Sequence, residues 1–227
     1  MTDIPLKNGW PWASLIKMNL KPSDQLLADI TDRWYGINWG EDYANNKMAS
    51  NVTAINSDKR SVTWVVLANK HKEIIEDIAL RVLEELAPHF PEKMQMTSAG
   101  LSLLVPHGKL LWHHDGLSQY HYGTRVMLPL FNTDNIDYYF TSWSDDTPKD
   151  SYFDAIGYRD NDQVVKSMTP GEYYIYNHRV PHKVDSFSDN PRGLFHIDIM
   201  PAAIDFKSIV GKFEPISEFE RTKIIKI

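Results

Sequence analysis

The sequence predicts an α+β protein that is mainly β, in which N-terminal helices pack on one outer face of a sandwich or barrel of strands. Helical periodicity dominates the chain up to about residue 90. After Pro91 the chain consists of short runs rich in Val, Ile, Tyr, Phe and Trp, separated by Gly, Pro, Asn and Asp. Because no helix-length segment separates the later runs, the sheets should be largely antiparallel.

Two segments of the N-terminal part follow the 3.6-residue period of an amphipathic helix. The first, residues 23–35, opens with Ser23, a residue that caps helices, and carries Asp24 where the helix dipole favours an anion. The second, residues 72–86, has apolar residues at three- and four-residue intervals, and Pro88 ends the pattern. We therefore predict helices over these two ranges.

About nine short runs are predicted as strands. One run precedes the second helix and eight follow Pro91, with turn-forming residues between them. The predicted strands cover residues 61–67, 99–105, 110–114, 124–131, 136–143, 164–167, 172–176, 183–187 and 193–200.

The composition excludes several classes of protein. The 227 residues are expected to form a single domain, with a helical part at 1–95, a β core at 96–200 and a C-terminal extension at 201–227. The net charge of -6 argues against a nucleic-acid partner, and the lack of a signal peptide or membrane span predicts a cytoplasmic protein. With no cysteine, any metal must be bound by nitrogen and oxygen atoms.

Seven of the nine histidines lie between residues 107 and 196. His113 and Asp115 are two residues apart, so on an extended chain both side chains project from the same face, whereas His114 points the other way. An imidazole and a carboxylate at this spacing match two ligands of the 2-His-1-carboxylate triad that binds Fe(II). The alternative is a chance His-x-Asp pattern in a surface loop.

A third ligand should come from a distant strand, and His182, at the start of such a strand, is our choice over His178. Ten residues later, Arg192 starts the next strand on the face that it shares with His196 and Asp198. A guanidinium in this position could bind a small carboxylate inside the barrel. The alternative is a surface salt bridge.

Residues 96–200 resemble the Fe(II)- and 2-oxoglutarate-dependent oxygenases with a double-stranded β-helix (cupin-like jelly roll) core. The similarity is greatest to the aspartyl/asparaginyl β-hydroxylase and proline hydroxylase group. It rests on four features, which are His113-x-Asp115, Pro170-Gly171-Glu172, His182-Lys183-Val184, and Arg192 ten residues after the distal histidine.

The resemblance implies that His113, Asp115 and His182 are the catalytic iron ligands, and that Arg192 binds the distal carboxylate of 2-oxoglutarate. The implied reaction consumes O2 and hydroxylates a C–H bond of an amino acid or amino-acid side chain, with succinate and CO2 as coproducts. The partner is then a small-molecule or peptide substrate. Asp115 argues for hydroxylation over halogenation, because halogenating family members have a small residue there.

The strand after the His-x-Asp motif matches the family in part. Arg125 is present, but Met127 stands where the family commonly has a histidine. Arg125 is predicted to be a second carboxylate ligand, for the cosubstrate or an amino-acid substrate, and the alternative is a structural ion pair. Substrate contacts are predicted for His121, His196 and Asp198, with packing roles as the alternative.

The acidic segment 133–163 is either a lid that favours a positively charged substrate or a solvated loop. Two other functions stay open at this point. One is the same oxygenase chemistry on another small metabolite or a nucleotide, and the other is a non-catalytic, metal-binding, cupin-like ligand-binding module.

Overall fold

Ten strands, two α-helices and one 3₁₀ turn make up the part of the chain that the computed structural model describes, residues 15–37, 63–66, 72–90, 92–113, 124–140, 163–177 and 182–203. The helices are α1 (Asp24–Tyr35) and α2 (Lys72–Leu86), and the 3₁₀ turn is Ala87–His89. The strands are β1 (Leu15–Lys17), β2 (Thr63–Val66), β3 (Met94–Leu104), β4 (Lys109–His113), β5 (Thr124–Phe131), β6 (Ile136–Phe140), β7 (Gln163–Lys166), β8 (Tyr174–Asn177), β9 (His182–Ser186) and β10 (Arg192–Pro201).

Both predicted helices are confirmed. Ser23 is the N-cap of α1, and its hydroxyl accepts a hydrogen bond from the Leu26 backbone N–H at 3.4 Å. The apolar face of α1 is buried, and Trp34 at its end donates from Nε1 to the Ser102 carbonyl at 2.9 Å. This bond attaches α1 to β3, which α2 also contacts. Neither described helix is long and apolar enough to cross a membrane.

All strand pairs in the two sheets are antiparallel. The larger sheet has the order β1-β8-β5-β10-β3-β2, and the smaller has the order β4-β9-β6-β7. Among the described strands, the two sheets do not join into a closed barrel. This arrangement is the predicted double-stranded β-helix, with helices on one outer face of the larger sheet.

The structure differs from the predicted strands most at β1 and β3, and the other described strand ends, except the end of β6, agree with the prediction within two residues. The prediction omitted β1, which is only three residues long and pairs with β8. β3 begins at Met94, earlier than predicted, because it pairs with β10 as far as Pro201. β6 is Ile136–Phe140, and residues 141–143 of the predicted run lie outside the described residues.

The faces that the two sheets turn toward each other enclose both apolar and polar side chains. Tyr138 and Phe140 of β6 meet residues of the larger sheet, since Arg192 bonds to Tyr138 and the Phe140 ring lies 5.3 Å from that of Tyr176. Alternate residues of a strand share a face, so this interior is also the face of His196 on β10. The candidate site is built on this interior face.

Candidate functional site

The two histidines predicted to bind metal lie opposite each other on neighbouring strands. β4 and β9 pair so that His113 and His182 are Cα partners. A register shift between Leu110 and His113 produces this alignment, and such irregularities are common beside active sites. The structure describes only the backbone of His113, while Asp115, His121 and the competing ligand His178 lie outside the described residues.

His182 is a buried imidazole between two aromatic rings. It is 5% exposed, its ring stacks on Phe140 at 6.0 Å between centroids, and Tyr176 meets it edge-on at 5.2 Å. The phenol oxygen of Tyr176 lies 3.4 Å from His182 Nε2, a long hydrogen bond. His182 is therefore held in one orientation on the interior face, where an imidazole can act as a metal ligand.

Arg192 is buried inside the sandwich and does not form the surface salt bridge that was its alternative. Its side chain is 2% exposed, and Nη1 donates to the Tyr138 phenol oxygen at 2.7 Å. Its Nε is buried without a hydrogen-bond partner, and no carboxylate among the described residues forms an ion pair with Arg192. Because a buried charge normally has a counter-charge, this guanidinium fits an anionic ligand.

Tyr138, which bonds to Arg192, was not predicted from the sequence as a candidate site residue. Burial raises the pKa of its phenol above the ordinary value, although the charge of Arg192 opposes that shift. The phenol is therefore neutral at physiological pH, and after accepting from Arg192 it keeps one O–H to donate. The sequence around Tyr138 does not predict its contact with Arg192, because that contact depends on β10 of the other sheet lying opposite β6.

Arg192 and His182, at two ends of the interior, are linked through β6. Phe140, which stacks on His182, is also its Cα partner on the neighbouring strand. Tyr138, which accepts the hydrogen bond from Arg192, is two residues from Phe140 on β6, so the Cα atoms of Tyr138 and Phe140 are about 7 Å apart.

Arg125 forms the structural ion pair that was the alternative to its predicted ligand role. It is bidentate to Asp198, with Nε to Oδ1 at 2.6 Å and Nη2 to Oδ2 at 2.8 Å. The two residues are Cα partners on β5 and β10, and Arg125 is also the partner of Tyr176 on β8. His196 is buried two residues from Asp198 on the same strand. The substrate and cosubstrate contacts of Arg125, His196 and Asp198 stay predictions.

Within the described part of the chain, no group of three His, Asp or Glu side chains is arranged to hold a metal ion. His113 and Asp115 are two of the three members of the predicted triad, and their side chains lie outside the described part. His182 alone can be assessed, and its buried imidazole fits a site for Fe(II) built from nitrogen and oxygen donors.

No protein-family model matches the sequence, and no curated protein matches it significantly. Solved structures share its fold at low identity. AviO1 from Streptomyces viridochromogenes Tue57 is 13% identical, with a TM-score of 0.58 over 88% of this chain and 92% of that one. The epimerase SnoN, in complex with Fe3+, alpha ketoglutarate and nogalamycin RO, is 11% identical, with a TM-score of 0.54 over 84% and 80%.

A prolyl hydroxylase from Trichoplax adhaerens, in complex with a peptide fragment of the hypoxia inducible factor oxygen degradation domain, is 10% identical, with a TM-score of 0.53 over 83% of this chain and 84% of that one. Similarity at this level of identity supports a shared fold. Structural neighbours of this chain therefore include a non-haem, alpha ketoglutarate dependent epimerase and a prolyl hydroxylase.

Proposed function

We propose that the protein is an Fe(II)- and 2-oxoglutarate-dependent dioxygenase that hydroxylates a C–H bond of an amino acid or amino-acid side chain. The observation that carries the proposal is Arg192, a buried guanidinium with no carboxylate partner among the described residues. It opens β10, ten residues after His182, inside the same sandwich. A binding module that holds only a metal would not require this buried cation.

The interior end at Arg192 suits the distal carboxylate of 2-oxoglutarate. Arg192 Nε and the remaining proton of the Tyr138 phenol are both donors, and a carboxylate accepts several hydrogen bonds. Burial removes competing water, which strengthens an ion pair relative to one on the surface. In this proposal Arg192 and Tyr138 orient the cosubstrate so that its 2-oxo acid end points toward His182.

His113, Asp115 and His182 are the proposed metal ligands. Support comes from the Cα pairing of His113 and His182 on neighbouring strands. Asp115 follows His113 by two residues. When bound, iron and 2-oxoglutarate supply the oxidation of the C–H bond with O2, while the protein positions the reactants and excludes water.

The substrate is proposed to bind on the interior face next to Tyr176. Arg125 and Asp198 lie there and carry opposite charges. An amino acid carries a carboxylate and an ammonium group, which match such a pair. A second candidate substrate is another small metabolite, since the SnoN complex contains nogalamycin RO whereas the prolyl hydroxylase complex contains a peptide. An assay must therefore include both classes.

The first test is spectroscopic and does not need the substrate. Anaerobic Fe(II) plus 2-oxoglutarate should give a weak visible charge-transfer band, which His182→Ala should abolish. His107→Ala is the matched control, because His107 is an exposed histidine paired with Asp189 at 2.9 Å. A folded wild-type protein that gives no band under these conditions would contradict the proposal.

The second test is succinate release across amino acids, peptides and other small metabolites. Asp115→Ala and Arg192→Ala should both lose activity, the first through the metal and the second through the cosubstrate. Excess 2-oxoglutarate should restore part of the activity of Arg192→Ala only. Equal activity of wild type and both variants would show that succinate is released by another route.

A further inference from the structure

Lys183 lies between two aromatic rings on the outer face of the smaller sheet. Its ammonium nitrogen is 4.3 Å from the centre of the Tyr139 ring and 5.8 Å from that of the Trp112 ring. The side chain is only 20% exposed, and Asp185 Oδ2 accepts a hydrogen bond from the ammonium at 2.9 Å. Lysine is rarely buried to this extent unless its charge is compensated, and aromatic faces stabilise a desolvated cation. We call Trp112, Lys183 and Tyr139 the Lys183 cluster.

The Lys183 cluster is separate from the main hydrophobic core and lies behind His182. Trp112 and Tyr139 are both buried, yet they form a hydrophobic cluster of their own. Successive residues of a strand point to opposite faces of the sheet. Lys183 therefore lies on the face opposite to its neighbour His182, and Tyr139 on the face opposite to its neighbour Phe140. The cluster is thus at the same level of the smaller sheet as the buried imidazole.

The register between β4 and β9 is irregular at the level of the Lys183 cluster. Leu110 pairs with Val184, and His113 pairs with His182. Between these two pairs β4 has two residues, whereas β9 has only Lys183. Two residues opposite one is the pattern of a β-bulge. A slip of one residue here would place a neighbour of His113 opposite His182, so the alignment of the two histidines depends on this irregularity.

We propose that Lys183 is a positioning residue that fixes the register in which His113 lies opposite His182. This inference rests on the proposed function, in which both histidines are metal ligands. The contact with Trp112 joins β9 to β4 beside the bulge, and the contact with Tyr139, its Cα partner, joins β9 to β6. A slip of β4 would move the Trp112 ring away from the Lys183 ammonium, so the attraction between them disfavours the slip.

The experiment measures Co(II) binding through the visible absorption of the bound metal, at a temperature well below unfolding. Lys183→Met keeps the length of the side chain and removes its charge, so it should bind Co(II) about 5- to 30-fold more weakly than wild type. Lys183→Arg keeps a cation that can lie over an aromatic ring and should stay within about 3-fold of wild type. Lys166→Met is the matched control and should bind like wild type, because Lys166 is an exposed lysine of the same outer face, opposite Asp137.

Chemical rescue tests the charge of Lys183 separately from its packing. Lys183→Ala should bind Co(II) as weakly as Lys183→Met. Added n-butylammonium supplies the missing cation and should restore part of the Co(II) affinity of Lys183→Ala, whereas n-butanol, of similar shape and without charge, should not. Rescue by both compounds or by neither would contradict the role of the cation.

The outcomes distinguish this inference from the proposed function. Wild type that binds Co(II) through His182, with Lys183→Met binding it equally well, overturns the positioning role alone, even if Lys183→Met unfolds at a lower temperature. Wild type that binds no Co(II) overturns the proposed function and this inference with it. If Lys183→Met does not fold, Tyr139→Leu removes the nearer ring of the Lys183 cluster and should weaken Co(II) binding to a similar extent.

Discussion

At the scale of single residues, Arg192 has the most unusual environment in the described chain. A guanidinium cannot lose its proton in a protein, so its burial must be compensated by hydrogen bonds or by an anion. Tyr138 supplies one neutral acceptor at 2.7 Å, and the ring of the same residue lies 5.7 Å from the guanidinium carbon. One neutral partner is incomplete compensation, and a dicarboxylate cosubstrate would complete it.

Tyr138→Phe should weaken both the fold and cosubstrate binding. The variant leaves a buried charged donor without its acceptor, which should lower the free energy of unfolding by about 1–3 kcal/mol in urea titrations. Because burial raises the pKa of Tyr138, the phenol stays neutral in the folded state, and its contribution should be constant from about pH 6 to 9 and fall only as the pH rises beyond about 10. A difference between variant and wild type that disappears already at about pH 8 would contradict this assignment.

The sequence predicted some of these residues and missed others for a physical reason. His182 and Arg192 were predicted as site residues from their spacing along the chain, and both are buried in the structure. The contacts of Tyr138 with Arg192 and of Tyr176 with His182 were missed because they depend on the register between strands and on which faces meet across the sandwich. Neither feature can be read from one strand alone.

At the scale of elements, the Arg125–Asp198 pair joins β5 to β10 on the interior face. Replacing Arg125 by Met should leave a largely buried carboxylate without its charge partner and cost about 3–5 kcal/mol of unfolding free energy. Asp198→Leu combined with Arg125→Met should cost less than the sum of the single changes. Urea unfolding of the four proteins forms the double-mutant cycle.

Arg81→Met is the control for that cycle. Arg81 forms an ion pair with Asp29 at 2.8 Å, with both side chains about one-third exposed, so its loss should cost much less stability than the loss of Arg125. Strictly additive losses at Arg125 and Asp198 would show that the pair contributes no coupling energy. Succinate release by the double variant then reports whether the same pair also contacts a substrate.

Glu172 connects the turn before β8 to β1. It forms ion pairs with Lys17 and with Lys21, the latter at 3.3 Å. The Lys17 hydrogen bond is the main cause of a lowered Glu172 pKa. A lowered carboxyl pKa adds stability above the unfolded value of 4.5, and that stability is lost as the pH falls through the folded pKa.

Glu172→Gln should therefore be less stable than wild type at neutral pH and equally stable in acid. Thermal unfolding of both proteins between about pH 3 and 7 measures the difference. A difference that persists unchanged in acid would mean that the substitution acts through packing and that the ion pair is not the cause.

The elements themselves were mostly predictable from the sequence. The predicted range 124–131 agrees with β5, because Gly123 precedes the apolar run and Asn132 follows it. The predicted range 72–86 agrees with α2, because charged residues lie between its regularly spaced apolar residues. β1 was not predictable, since three residues show no alternation and the strand exists through its pairing with β8. The extended start of β3 depends in the same way on its partner, β10.

At the scale of the whole molecule, the two faces of the larger sheet have different surroundings, because helices pack on one face and the smaller sheet on the other. Helices α1 and α2 cover the outer face of the larger sheet, and the buried polar side chains of the candidate site lie in the interior. Arg192 comes from the larger sheet and His182 from the smaller, so a cosubstrate bound to both would connect the sheets. Such a ligand should stabilise the entire fold because it binds the folded state alone.

Metal and 2-oxoglutarate together should raise the unfolding temperature. At a cosubstrate concentration about 100 times its dissociation constant the gain is about 2.7 kcal/mol, or roughly 5–10 °C for a chain of this size. Scanning calorimetry with Mn(II) and increasing 2-oxoglutarate measures the shift, which should grow logarithmically with concentration. Arg192→Met should lose most of the cosubstrate shift and keep the shift caused by metal alone, because the two ligands contact different ends of the interior. A cosubstrate shift that Arg192→Met retains in full would place the carboxylate elsewhere.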